Sequence, residues 1–186
     1  MFRLIRIAAA VLVCLFVSSI VAQERAHVQV ETVAPRSEDV ATIDGVINAF
    51  YEVISGPAGQ PRQWSRDRTL YIPDMRFVSI QKKKDGTIEA RPISHQEFVD
   101  RSDASLVKNG FYESEIHRET QQFGQIAHVF STYESRIKPD GPVIARGINS
   151  LELFNDGKRW WVLSAQWDEE REGLKIPEKW LGKIDD

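Results

Sequence analysis

The chain holds 186 residues, 42% of them hydrophobic and 27% charged, with 11 Gly, 8 Pro and a single Cys. That length suits one domain, the apolar fraction excludes a disordered chain, and the glycine and proline content excludes collagen-like or low-complexity material. Twenty-four basic against 27 acidic residues give a formal charge of −3, so no basic surface advertises nucleic-acid binding.

Met1–Arg6 carries two arginines and no acid, and the apolar run Ile7–Val21, broken only by Ser18 and Ser19, ends at Ala22-Gln23. This reads as a secretory signal over residues 1–22. The run is shorter than the roughly 20 apolar residues that span a bilayer, and bulky Leu12-Val13 speak against a lipoprotein cut at Cys14. Cleavage leaves 22 basic against 27 acidic residues and removes the only cysteine. The expectation is an exported protein, periplasmic or secreted, with no membrane segment after cleavage. It has no thiol chemistry and no disulfide, and its hydrophobic core carries its stability.

Residues 23–36 form a polar, extended leader. Ser37 reads as an N-cap with Glu38 and Asp39 in the first turn, and Val40, Ile43, Ile47, Phe50 and Ile54 mark one apolar helix face ending at Gly56-Pro57. Residues 61–70 suit a shorter helix anchored by Trp64. Met75–Gln81 and Thr87–Ile93 read as a hairpin around Lys84-Asp85-Gly86. Ser94-His95-Gln96-Glu97 is a capping box opening a short helix to about Arg101, followed by a loop over Ser102–Gly110. Phe111–Phe123, Ile126–Ile137, Ile144–Phe154 and Arg159–Trp167 then read as four strands. Early helices and a late antiparallel meander make the class α+β. Residues 168–186 form a tail whose Ile176, Trp180 and Leu181 dock on the body, Trp180 acting as a lid.

A two-residue turn at Asp156-Gly157 pairs Leu153 with Trp160, Leu151 with Val162, Asn149 with Ser164 and Gly147 with Gln166. Asn149, Ser164 and Gln166 then cluster on one face, where an unpaired buried amide or hydroxyl costs about 1–3 kcal/mol. That cluster calls for an internal network, water or a ligand. The opposite face carries Trp161 and Trp167, a partner surface or the seat of the tail.

Over Glu38–Trp167 the chain resembles the nuclear transport factor 2-like superfamily, which includes SnoaL-like polyketide cyclases and ketosteroid isomerase-like proteins. The resemblance lies in Ile43–Phe50, in Pro73-Asp74-Met75-Arg76-Phe77-Val78, in Ala127-His128-Val129-Phe130-Ser131-Thr132-Tyr133-Glu134 and in Asp156-Gly157-Lys158-Arg159-Trp160-Trp161-Val162. It implies a domain over residues 37–167 in which a strongly curved antiparallel sheet forms a cone, with N-terminal helices on its concave face and a pocket between. It also implies homodimers through the outer face, suiting Trp161 and Trp167, and, in catalytic members, a carboxylate or histidine base in the cone. Where some relatives carry histidine on the last strand, this chain has Ser164 and Gln166, neither a base near neutral pH.

Candidate acid–base groups are Asp74, His117, His128, Glu134 and Tyr133. Alternation puts Glu113, Glu115, His117 and Glu119 on one face, which reads as a solvated charged row. His128 and Glu134 share a face opposite Tyr133, and which face is inward stays open. If Tyr133 is inward, it joins Asn149, Trp160, Ser164 and Gln166 in a ligand-facing lining. His117 and His128 lie on consecutive strands without the spacing of a metal site, and no nucleotide loop, nucleophile elbow or cofactor motif is present. Three readings follow. One is an exported domain that binds a small apolar ligand or acts as a non-catalytic interaction module, with no evident base. The second is an isomerase, dehydratase or cyclase with Asp74 or a histidine as base and Tyr133 or Asn149 steadying an enolate-like oxygen. The third is purely structural pairing, the tryptophan-bearing face assembling dimers.

Overall fold

The computed structural model describes residues 27–182, so the predicted signal segment lies outside the described residues. Helix α1 (Ser37–Val40) and α2 (Ile43–Glu52) replace the single helix expected, because Thr42 is extended and its hydroxyl accepts from Gly45 N at 3.0 Å, starting a new helix. Helix α2 turns Val46, Ile47, Ala49, Phe50 and Tyr51 to the core. Helix α3 (Trp64–Arg68) precedes strands β1 (Tyr71–Lys82) and β2 (Ile88–Ser94).

Helix α4 runs from His95 to Asn109, well past the predicted end at Arg101. The Ser94 hydroxyl caps Glu97 N at 3.1 Å, as the capping box foretells, and Gly110, at φ 76°, ends the helix. Polar Ser102, Asp103 and Ser105 hide the apolar spacing between Phe98-Val99 and Leu106-Val107, which is why Ser102–Gly110 reads as a loop. A buried carboxylate fixes this helix: Asp67 accepts from Tyr71 Oη at 2.6 Å and lies 2.9 Å from His95 Nε2.

Strands β3 (Tyr112–Phe123), β4 (Ile126–Arg136), β5 (Val143–Asn155) and β6 (Trp160–Glu169) complete a six-stranded open sheet in the order β2-β1-β6-β5-β4-β3. Four of its pairings are antiparallel, and β1 runs parallel to β6. The sheet is therefore mixed, correcting the all-antiparallel expectation: β1 and β6 are far apart in sequence and pair one strand in from the β2 edge. Bulges at Ile116 and Leu163 and an irregularity after Ser135 bend the strands. Helix α2 fills the resulting hollow against β3 and β6. Among the described residues no helix is long and apolar enough to cross a membrane.

Candidate functional site

Strand β4 decides which residues face the hollow. Ala127, Val129 and Ser131 are buried on the concave side, where Ser131 meets Tyr51 of α2. Alternation therefore points Tyr133 inward and His128, Thr132 and Glu134 to the other face, the last two buried there as well. Asn149 comes in from β5, and Tyr51 descends from α2. Ser131 Oγ donates to a Glu115 carboxylate oxygen, so it accepts from Tyr51 Oη at 2.6 Å, and Tyr51 accepts from Asn149 Nδ2 at 3.1 Å. Burial pushes the Tyr51 phenol well above its ordinary range, so it stays a donor.

The predicted solvated row on β3 is broken by the bulge at Ile116. Before it, Glu113 and Glu115 pair with Ser135 and Tyr133 and face inward; after it, His117 pairs with Thr132 on the outer side and Arg118 takes the inner position. Arg118 engages Glu115 through Nε at 2.9 Å. Glu113 is left with Ser135 Oγ, which donates to its Oε2 at 2.9 Å. Burial pushes the Glu113 carboxyl up to about 8, and the nearby Glu169 charge adds to this against the Ser135 and Asn149 donors. At neutral pH Glu113 is therefore mainly a neutral acid.

Glu113 opens on a cavity of about 180 Å³ under α2 and α4. Phe50, Phe77, Phe98, Leu106 and Trp167 supply apolar walls, and Ser102, Tyr133, Asn149 and Glu169 the other polar positions. Phe77 and Phe98 stack with centroids 4.6 Å apart, and Trp167 meets Phe98 edge-on at 6.3 Å. Tyr133 Oη donates to Glu169 Oε1 at 3.1 Å.

Of the residues singled out in the sequence, Tyr133 and Asn149 line this cavity. Trp160 faces inward but is buried in the core, away from the lining. Ser164 and Gln166 face the convex side, contrary to the expected register. The loop pairs Asn155 with Trp160, which keeps Trp160 and Val162 inward, but the bulge at Leu163 reverses every later residue, so Ala165 and Trp167 point in and Ser164 and Gln166 out. Trp167 is thereby removed from the proposed outer pair. Trp161 remains outside, its Nε1 donating to Asp156 at 2.9 Å with the Arg159 guanidinium 3.6 Å above its ring. Asp74 is exposed and outside the cavity lining. His128 lies 2.7 Å from Glu152 on the convex face, and Glu134 is held there between Arg136 and Arg146. No cluster of three metal-ligating side chains occurs among the described residues. Tyr51, Glu113 and Glu169 are the positions of this candidate site that sequence reasoning missed; the one available signal was the acidic row, whose inward half only the bulge reveals.

No family model and no curated protein matches the chain. Solved structures do. The β subunit of a putative aromatic-ring-hydroxylating dioxygenase from Novosphingobium aromaticivorans aligns with TM-score 0.54 and 13% identity, covering 77% of this chain and 95% of that one. A Nostoc punctiforme protein of unknown function with a cystatin-like fold aligns with TM-score 0.50 and 9% identity over 69% and 88%. An NTF2-like protein of unknown function from Shewanella baltica aligns with TM-score 0.48 and 15% identity over 69% and 91%. With the topology above, the chain has the cone fold that the resemblance implied, a curved six-stranded sheet with helices on its concave face.

Proposed function

We propose that the cone binds a small, largely apolar molecule bearing one carbonyl oxygen and moves a proton on it, with Glu113 as the proton carrier. The observation that carries this reading is the Glu113 carboxyl, with its pKa near 8, opening onto a cavity walled by aromatic rings. A general base works best with a pKa near the working pH, and this one replaces the base that the sequence did not supply. The cavity is slightly larger than the roughly 150 Å³ that accepts benzene in an engineered core, so the fitting substrate is a single small ring. In the step proposed, the Glu113 carboxylate takes a proton from the carbon beside the carbonyl. The C–H electron pair moves into the C–C bond, the carbonyl π pair goes to oxygen, and the Asn149 N–H that the newly protonated Glu113 releases steadies that oxygen. Return of the proton to carbon completes an exchange or an isomerisation.

The test is deuterium uptake beside the carbonyl of small cyclic ketones in D₂O, followed by NMR. The wild type is expected to exceed the buffer rate at pH 8, Glu113→Gln to fall to it, and Glu113→Asp to recover part of the rate. Saturable binding without uptake would overturn proton transfer and leave the cone as a carrier site. Neither binding nor uptake would overturn both.

Two further parts of this reading rest on other residues. Export rests on Met1–Ala22, and N-terminal sequencing of protein recovered outside the cytoplasm is expected to begin at Gln23. Self-association rests on the convex row Phe123, Ile126, Phe154 and Trp161, which are successive cross-strand partners, with Phe123 86% exposed. Sedimentation is expected to show a dimer that Phe123→Ser weakens.

A further inference from the structure

On the convex face the chain after β6 folds back across the sheet. Ile176 N donates to Glu170 Oε1 at 3.1 Å, which holds the near end of this strap. At the far end, the 3₁₀ turn Glu178–Trp180 sets the Trp180 ring edge-on to Phe130, with centroids 5.0 Å apart, and Trp180 Nε1 donates to Glu119 Oε1 at 3.0 Å. The stretch from Leu174 to Pro177, with Trp180 beyond it, roofs a cleft of about 320 Å³, larger than the cone cavity.

The cleft floor is Ile80, Phe130 and Ile148 from three different strands, and its roof is Leu174, Ile176 and Pro177. A strap serving only to cover these apolar side chains would close down on them, because lining atoms facing a gap lose their dispersion contacts. Here the cleft stays open, at a volume within the range of small-molecule sites, about 300–1,000 Å³. The floor also carries a polar pair. Ser150 and Gln166 are direct cross-strand partners, and both line the cleft. The bulge at Leu163 puts them there by turning Gln166 away from the cone. Three carboxylates and one ammonium line the cleft, and each is already engaged. Lys175 lies 3.6 Å from Glu170, Asp168 accepts from Arg171 at 3.1 Å and Glu169 accepts from Tyr133 Oη at 3.1 Å, so the site offers no spare charge of either sign.

We propose that this cleft is a second small-molecule site, taking an uncharged, flat apolar molecule whose single hydrogen-bonding group meets the Gln166 amide and the Ser150 hydroxyl. It does not depend on the chemistry of the cone. Gln166 supplies both a donor and an acceptor, so the occupant's polar group is an amine N–H, a hydroxyl or a carbonyl. Trp180 closes the far wall, and its ring is the largest apolar surface the strap contributes.

The experiment titrates the purified protein with N-phenyl-1-naphthylamine, an uncharged two-ring aromatic amine whose fluorescence rises in apolar surroundings. One saturable site is expected. Trp180→Ala is expected to weaken it at least tenfold and Gln166→Leu several-fold, while Glu113→Gln, which disables the cone reading, leaves it unchanged. Nuclear Overhauser contacts from the probe should reach the methyl groups of Ile148 and Ile176. Contacts to Leu106 and Phe98 would place the probe in the cone and overturn the proposal. So would full affinity in Trp180→Ala, or no saturable binding by the wild type. The contact map reads the location on the wild-type protein, so the outcome does not hang on any variant folding.

Discussion

Tyr133 and Glu169 sit on strands that do not pair with each other, yet their side chains meet at 3.1 Å because the residue between them is Gly147. Gly147 is the cross-strand partner of Tyr133 on one side and of Glu169 on the other. With no side chain there, the phenol lies across β5 and reaches the carboxylate. A Cβ on Gly147 would stand 2.6 Å from Tyr133 Cζ and 2.7 Å from the Asp168 carbonyl oxygen. Gly147→Ala is therefore expected to push the ring aside and to lower stability by about 1–3 kcal/mol, as overpacking does. Urea denaturation of the two proteins measures this.

The raised Glu113 pKa has a consequence for stability with a definite sign. Below about pH 4.5 the carboxyl is protonated whether the chain is folded or not; between 4.5 and about 8 the unfolded chain gives up a proton that the folded one keeps. Stability from this group is thus full at low pH and drains away as pH rises through that window, then stays level above it. Glu113→Gln is expected to flatten this component and to be more stable than the wild type above pH 8. Paired denaturation curves from pH 4 to 9 would show it, and parallel curves would mean that Glu113 titrates as a solvated carboxylate.

Burial is the first cause of the Glu113 shift and the charge of Glu169 a lesser one. Glu169→Gln removes the second and leaves the first. The Glu113 titration midpoint, followed by NMR of the labelled carboxyl carbon, is expected to fall from about 8 while staying above 4.5. A drop all the way to 4.5 would make the pair, rather than the apolar walls, the origin of the shift.

Those walls and the fold around them were legible in the sequence to different depths. Strand identity on β3 to β6 followed from β-favouring residues between turn signals, and the faces of β4 followed from strict alternation once one residue was known to be buried. What alternation cannot report is a bulge, because one extra residue leaves the composition of a strand unchanged while reversing its faces. Two such residues, Ile116 and Leu163, account for the main errors at the site. The first turned Glu113 and Glu115 inward but His117 outward, and the second exchanged Ser164 and Gln166 for Ala165 and Trp167. The parallel pairing of β1 with β6 was invisible for a different reason, since no local signal links segments so far apart.

The bulge at Leu163 makes opposite demands on two adjacent positions. Ala165 is fully buried against Leu151, its cross-strand partner, with Phe77 beside it on β1. Ser164 lies on the convex side opposite Glu152. Ala165→Leu adds three carbons to a filled core and is expected to cost about 1–3 kcal/mol. Ser164→Val, on the outer face, is expected to stay within about 0.5 kcal/mol of the wild type. The register without a bulge reverses this order, with Ser164 in the core and Ala165 outside. Thermal denaturation of the two single variants therefore discriminates directly between the two arrangements. A larger loss for Ser164→Val than for Ala165→Leu would return Ser164 and Gln166 to the cone, and would remove the polar pair from the floor of the outer cleft.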